Sequence, residues 1–262
     1  MIALNDAPFL EGRSSEENKR VYDARAQEWK DVIENSQKND IIKSDLGVFK
    51  EKLRNDDDIG EEYYNKLKYK FSHGSKDAKH LFAKYASGDT IENSSYEGTA
   101  HYNTDTKKIT MHYGADLNNS RGTGVTWFHE HGHLIDAVLG AVSNDKKFFA
   151  LLKKDSFEYR VVYGKEHKLN TFDKVDKAIG DDLSDMRKHS AVSDLLDGLT
   201  KGNIQGCAKH DYSYWKNEKN ITSEAFAHMF EAQFDKVRYD EIKKYFPKSL
   251  EYFEKILKEA AK

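Results

Sequence analysis

Residues 127 to 136 read Trp127-Phe128-His129-Glu130-His131-Gly132-His133-Leu134-Ile135-Asp136, placing an HExxH pattern inside an apolar run. On a helix, His129 and His133 stand one turn apart, a rise of ~6 Å, so both imidazoles can address one ion from the same face. Glu130 is adjacent to that face. From there a carboxylate reaches a metal-activated water without being a ligand, which is the general-base arrangement of zinc hydrolases. The pattern is short, so its setting must support it. Val125, Trp127, Phe128, Leu134, Ile135, Val138 and Leu139 supply enough apolar surface to hold a helix inside a domain, with Gly124 and Thr126 offering turn and cap chemistry before it. Gly132 costs about 1 kcal/mol of helix propensity relative to Ala. That cost makes sense where another backbone passes close between the two histidines. The competing reading is a histidine-rich stretch of buried helix that holds no metal.

Two histidines leave a catalytic zinc one protein ligand short, the last position belonging to water. The nearest histidine after His133 is His167, so the His-x-x-Gly-x-x-His continuation is absent. An acid on another helix is the better candidate. Thr222 to Phe234 reads as a strongly periodic helix capped by Thr222 or Ser223, with Glu224 near its start. Glu231, two turns later on roughly the same face, is the reserve ligand. The competing role for Glu224 is that of a first-turn acid favoured by the helix dipole. Asp136 lies one turn beyond His133, where it can orient an imidazole through its remote nitrogen or serve in a cap or surface ion pair.

The elements that must position these groups follow from periodicity. Ser14-Ser15-Glu16-Glu17 reads as a helix start, and helices are expected over 18–37, 46–53, 59–71 and 75–85, with an acidic break at 55–58. Residues 1–88 therefore form an N-terminal helical region, either a partner-binding arm or a layer covering the next domain, and residues 89–262 the domain with the motif. Residues 98–102 and 108–113 read as a hairpin whose edge strand either pairs with an extended peptide beside the metal or merely floors the motif helix. The motif helix spans about 124–142. Short helices are expected at 144–152 and 172–183, while Phe157 to Tyr163 fits strand or helix equally. Residues 190–199 read as helix, 198–215 as a functional loop, and 249–261 as an amphipathic tail. The fold class is α+β, predominantly helical, with a small antiparallel sheet.

Composition bounds the function. Of 262 residues, 38% are hydrophobic and 33% charged, a soluble globular mixture. A formal charge of -3 argues against a general nucleic-acid binder. No run of 18 apolar residues exists to span a membrane. The N-terminus lacks the basic lead and apolar run of a signal peptide, so the chain reads as cytoplasmic when synthesised, or exported by a route that needs no such signal. Cys207 is the single cysteine, which excludes an intrachain disulfide and a Cys-rich zinc site.

His129-Glu130-His131-Gly132-His133-Leu134-Ile135-Asp136 and the later Ser223-Glu224-Ala225-Phe226-Ala227 together resemble the HExGHxxD and SEAFA pair of gluzincin metallopeptidases related to the catalytic domain of anthrax lethal factor. Similar domains accompany phage head morphogenesis proteins and bacterial effectors. The likeness covers roughly residues 95–235 and includes Ser193-Asp194-Leu195-Leu196-Asp197-Gly198-Leu199-Thr200 and Gly206 through Trp215. It implies a zincin-like core, zinc bound by His129, His133 and Glu224, and water activated by Glu130. It also implies an aromatic hydroxyl facing the metal, which maps onto Tyr214, with His210 and the nearby Tyr212 as alternatives for stabilising the oxyanion. One departure is His228, four residues after Glu224, where gluzincins generally carry an acid; it can support a ligand through a hydrogen bond or compete for metal. The implied activity is a zinc-dependent endopeptidase acting on a peptide or protein, toxin-like or tied to a phage-derived module. The alternative is a zinc-stabilised structural or interaction domain, docked to a larger assembly through the N-terminal helices.

Overall fold

The computed structural model describes residues 60–86, 91–95 and 100–262, all within a compact unit spanning residues 45–262. The helices expected over 18–37 and 46–53 lie outside the described residues. The architecture is predominantly helical with one small sheet. Helices α1 (Gly60–His73) and α2 (Lys76–Tyr85) lead into strands β1 (Ile91–Asn93), β2 (His101–Asn103) and β3 (Lys108–Met111). A short α3 (Tyr113–Asp116) precedes the motif helix α4 (Val125–Val138), and then follow α5 (Lys146–Glu166), α6 (Phe172–Asp182), α7 (Met186–Thr200), α8 (Glu218–Ala232), α9 (Lys236–Tyr245) and α10 (Pro247–Ala260).

Capping explains most of these starts. Ser75, Asp145, Asp185, Asn217 and Asp235 each accept a hydrogen bond from a backbone N–H in the first turn of the helix that follows. α10 begins with Pro247, whose missing N–H costs nothing there, and Asp155 of α5 takes the cap's part by accepting from the Ser249 N–H at 2.8 Å. The cap of α4 is Gly124 at φ +73°, packed so closely that a Cβ would sit 2.5 Å from Leu67 Cδ2. No side chain caps that helix. It is held by burial instead: every residue from Val125 to Asp136 except His133 is buried. Its polar side chains His129, Glu130, His131 and Asp136 are buried with the apolar ones.

The packing around α4 is aromatic. Phe128 stacks on Phe234 with ring centroids 4.1 Å apart, and Phe71 of α1 and Phe82 of α2 close the same cluster. Residues 60–85, grouped in the sequence with the N-terminal region, thus share one core with the motif helix. On the other side α8 lies directly against α4. The region from Phe157 to Tyr163, ambiguous in sequence, is the middle of the 21-residue α5, with Phe157 and Val162 exposed.

The sheet differs from the antiparallel hairpin expected. β2 and β3 do pair antiparallel, Tyr102 opposite Ile109, but β1 adds a third strand parallel to β3, Ile91 opposite Ile109, so the order is β1-β3-β2 and the sheet is mixed. β2 is therefore an edge strand, and Ala100, His101, Tyr102 and Thr104 line the cavity described next. Among the described residues no helix is long and apolar enough to cross a membrane.

Candidate metal centre

α4 and α8 approach closely enough to bring the two sequence motifs together. The approach depends on small residues: a Cβ on Gly132 would meet Ala227 Cα at 2.7 Å and Ala227 O at 3.2 Å. With the helices in contact, His129 Nε2 lies 3.1 Å and His133 Nε2 3.6 Å from Glu224 Oε2. Two imidazole nitrogens and one carboxylate oxygen thus lie within 4.8 Å of one another, a donor set that can hold a metal ion. Glu224 sits later in its helix than expected. Asn217, not Thr222 or Ser223, caps α8, so Glu224 belongs to its second turn, where the first-turn dipole explanation does not apply.

The remote nitrogens of both imidazoles are held. His129 Nδ1 lies 3.1 Å from Glu231 Oε2, and His133 Nδ1 3.1 Å from Ser223 Oγ. Held by these oxygens on the Nδ1 side, each ring turns its Nε2 toward Glu224. Asp136 does neither job. It accepts from the Ser143 N–H at 2.8 Å and from the Ser143 hydroxyl at 2.6 Å, fastening the turn after α4, and burial raises its pKa against those two hydrogen bonds. The sequence-based expectation that Asp136 orients an imidazole is corrected accordingly: Ser223 already takes the Nδ1 of His133.

Glu231 is fully buried and pairs with two arginines. Arg238 Nε donates at 2.7 Å and Arg121 donates at 2.9 Å. Burial opposes its ionisation, but the charges of Arg238 and Arg121 hold its pKa well below the usual carboxylate range. Its second oxygen meets His228 Nδ1 at 3.2 Å. His228 Nε2 faces Asp194 Oδ2 at 3.2 Å, and the His228 ring lies 4.5 Å from that of His129. His228 therefore stands beside His129, in contact with two acids. Arg121, Asp194, Ser223 and Arg238 escaped the sequence reading of the site; Asp194 and Ser223 lie in the quoted motifs, whereas nothing local marks Arg121 or Arg238.

The imidazoles and Glu224 hold one another's charge. Burial alone would lower the His129 pKa, yet hydrogen bonds with Glu224 and Glu231 raise it to about 10. Burial would raise Glu224, but the charge of His133 and the hydrogen bonds from both imidazoles hold it well below the ordinary range.

The loop from 201 to 213 delivers the remaining candidates. It is pinned by Ser193, whose hydroxyl donates to Ala208 O at 2.6 Å, and it ends in a single 3-10 turn, Tyr214–Lys216. Trp215 donates its indole N–H to Asp197 Oδ2 at 2.6 Å and packs against Gly198, where a Cβ would sit 3.0 Å from the indole. Tyr214 OH then donates to Glu224 Oε1 at 2.6 Å. Burial and the Glu224 charge raise the Tyr214 pKa, so its hydroxyl remains a protonated donor at neutral pH. Tyr212 points away, 60% exposed. His210 stacks on Tyr214 at 4.4 Å and holds Asp194 Oδ1 through Nδ1 at 2.7 Å; burial works against its protonation, but Asp194 raises its pKa.

These groups share one cavity of 640 Å³, lined by His129, Glu130, His133, Glu224, Tyr214 and His210 among others. Glu130 is buried at its wall. Comparison with protein-family models, curated proteins and solved structures found no match.

Proposed function

We propose that the chain is a zinc-dependent peptidase of gluzincin type, with a zincin-like core. The observation that carries this reading is the convergence of His129 Nε2, His133 Nε2 and Glu224 Oε2 at the wall of an open cavity that also contains Glu130 and Tyr214. Two imidazoles and one carboxylate are a catalytic zinc donor set. Zinc bound there would supply a Lewis acid and lower the pKa of a water molecule to about 7.

The chain's own residues do the rest. Glu130 takes the proton of the attacking water and returns it to the leaving amine, a transfer worth roughly 10²–10⁴ in rate. Tyr214, bonded to Glu224 before substrate arrives, turns its hydroxyl to the developing oxyanion. Glu231 and Ser223 fix the ring planes of His129 and His133. β2 at the cavity rim offers main-chain groups along which an extended peptide can lie.

The test pairs metal analysis of the purified protein with a proteome-derived peptide cleavage screen, run on the native sequence and on Glu130→Gln. The expected result is one zinc at this site in both proteins and cleavage only in the former. Zinc retained by both with no cleavage by either would favour the alternative, a zinc-stabilised structural domain. Equal cleavage by both would remove Glu130 as the base.

A further inference from the structure

Zinc bound by His129, His133 and Glu224 leaves a second group of buried donors unused on the inner side of the cavity. The two oxygens of Glu231 each hold one imidazole by its Nδ1: Oε2 meets His129 at 3.1 Å and Oε1 meets His228 at 3.2 Å. An imidazole that gives its Nδ1–H to a carboxylate has Nε2 free to serve as a ligand. His129 presents its Nε2 to Glu224, and His228 presents its own to Asp194 Oδ2 at 3.2 Å. The ligand atoms of Asp194, Glu224 and His228 lie within 4.8 Å of one another, and all three residues are buried, at 4, 4 and 3% exposure. His210 fastens the other oxygen of Asp194.

The neighbouring arginines do not serve these acids. Arg238 and Arg121 both direct their charge at Glu231. Among the described residues, Asp194 and Glu224 are met by imidazoles and by the Tyr214 hydroxyl, and by no lysine or arginine. Buried carboxylates so placed are stabilised by a cation.

We propose that Asp194, His228 and Glu224 form a second divalent-cation site, joined to the His129–His133 site by the Glu224 carboxylate. This rests on the zinc reading of the preceding section only through that shared residue. One nitrogen and two carboxylates suit a borderline transition ion such as Zn²⁺ or Mn²⁺, and not the all-oxygen preference of Ca²⁺ or Mg²⁺. Ions bridged in paired sites generally stand about 3.5–4 Å apart, close enough for their electron spins to couple.

The full chain is equilibrated with Zn²⁺, dialysed, and its zinc per chain measured by mass spectrometry. Two zinc ions are expected, falling to one in Asp194→Asn, in His228→Gln and in His133→Ala. Loaded with Mn²⁺, the native sequence is expected to give an exchange-coupled electron paramagnetic resonance spectrum that each variant loses. One zinc per chain, lost in His133→Ala but kept in Asp194→Asn and His228→Gln, would overturn the second site and leave the first standing. Two zinc ions that both survive in His228→Gln would also overturn it, and no zinc at all would overturn both. Should the variants fail to fold, the stoichiometry and Mn²⁺ spectrum of the native sequence decide: one ion, or two without coupling, refutes the pair.

Discussion

Gly132 of α4 and Ala227 of α8 meet backbone to backbone, with 2.7 Å between Ala227 Cα and the position a Cβ on residue 132 would take. This contact sets the separation of the helices that carry His129 and Glu224. Gly132→Ala gains up to ~1 kcal/mol of helix propensity, but the added methyl meets main chain, which cannot move aside as a side chain can. Overpacking of this kind costs ~1–3 kcal/mol, often more against backbone. The expected net is a loss of about 1–2 kcal/mol, a fall in Tm of a few degrees for a chain of this size, together with weaker zinc binding. Thermal melts of the metal-free protein and zinc titration check this. An unchanged Tm would mean that the two helices do not approach so closely.

Glu224 and Glu231 divide the work differently from two interchangeable acids. Glu224 Oε2 faces both Nε2 atoms, whereas Glu231 faces the Nδ1 side and is neutralised by Arg121 and Arg238. Glu224→Gln should abolish stoichiometric zinc binding at the His129–His133 site with little change in fold. Glu231→Gln should keep that zinc but weaken it by about 10–100-fold, because His129 loses its anchor. It should also destabilise the protein by about 3 kcal/mol or more, since Arg238 is left buried beside a neutral group. Competition with a chelator of known affinity gives the first quantity, and denaturant titration of the metal-free chain the second. Full zinc occupancy in Glu224→Gln would end its assignment as a ligand.

The partition between what could be read from the sequence and what could not has a physical pattern. His129, Glu130 and His133 share one helical turn, so their juxtaposition follows from local geometry, and Gly132 correctly signalled a close backbone. The start of α8 was misread because the apolar period begins at Ile221, whereas the cap, Asn217, precedes it by a full turn of polar residues. β1 was missed because three residues form a strand only through pairing with β3, which the sequence around 91–93 does not announce. Asp136 failed as an imidazole partner for a similar reason. Ser143 lies beyond the turn that ends α4, and only the folded turn at Gly140 and Ala141, both with positive φ, brings it to that carboxylate. Arg238 reaches Glu231 from another helix, a meeting that no spacing rule in the motif foretells.

The two tyrosines of the loop can be told apart by kinetics. Tyr214 touches Glu224, while Tyr212 is largely in solvent. On the proposed mechanism, Tyr214→Phe should lower kcat by about 10²-fold, the usual effect of removing one oxyanion donor, with zinc content retained. Tyr212→Phe should leave kcat and zinc content within twofold. Equal losses in the two variants would point to disturbance of the loop as a whole.

Away from the cavity, Asp235 ties three helices together and should shape the response to acid. At the start of α9 it pairs with Lys70 of α1 and, at 2.7 Å, with Arg187 of α7. Burial works to raise its pKa, but the hydrogen bond and charge of Lys70, joined by Arg187, lower it below the ordinary Asp value. A carboxyl whose folded pKa lies below its unfolded value contributes stability above the unfolded value, about 4, and loses it as pH falls through the folded one. Asp235→Asn removes that contribution. At pH 7 the variant should therefore be less stable than the native sequence by about 2–3 kcal/mol, because Lys70 and Arg187 keep their charges without a partner. As pH falls from 4 toward 2, Asp235 of the native sequence takes up a proton and the gap between the two proteins should narrow. Denaturant midpoints of the metal-free proteins, measured from pH 7 down to pH 2, follow both quantities. A gap that stays constant over that range would show that the ion pairs of Asp235 do not govern acid stability.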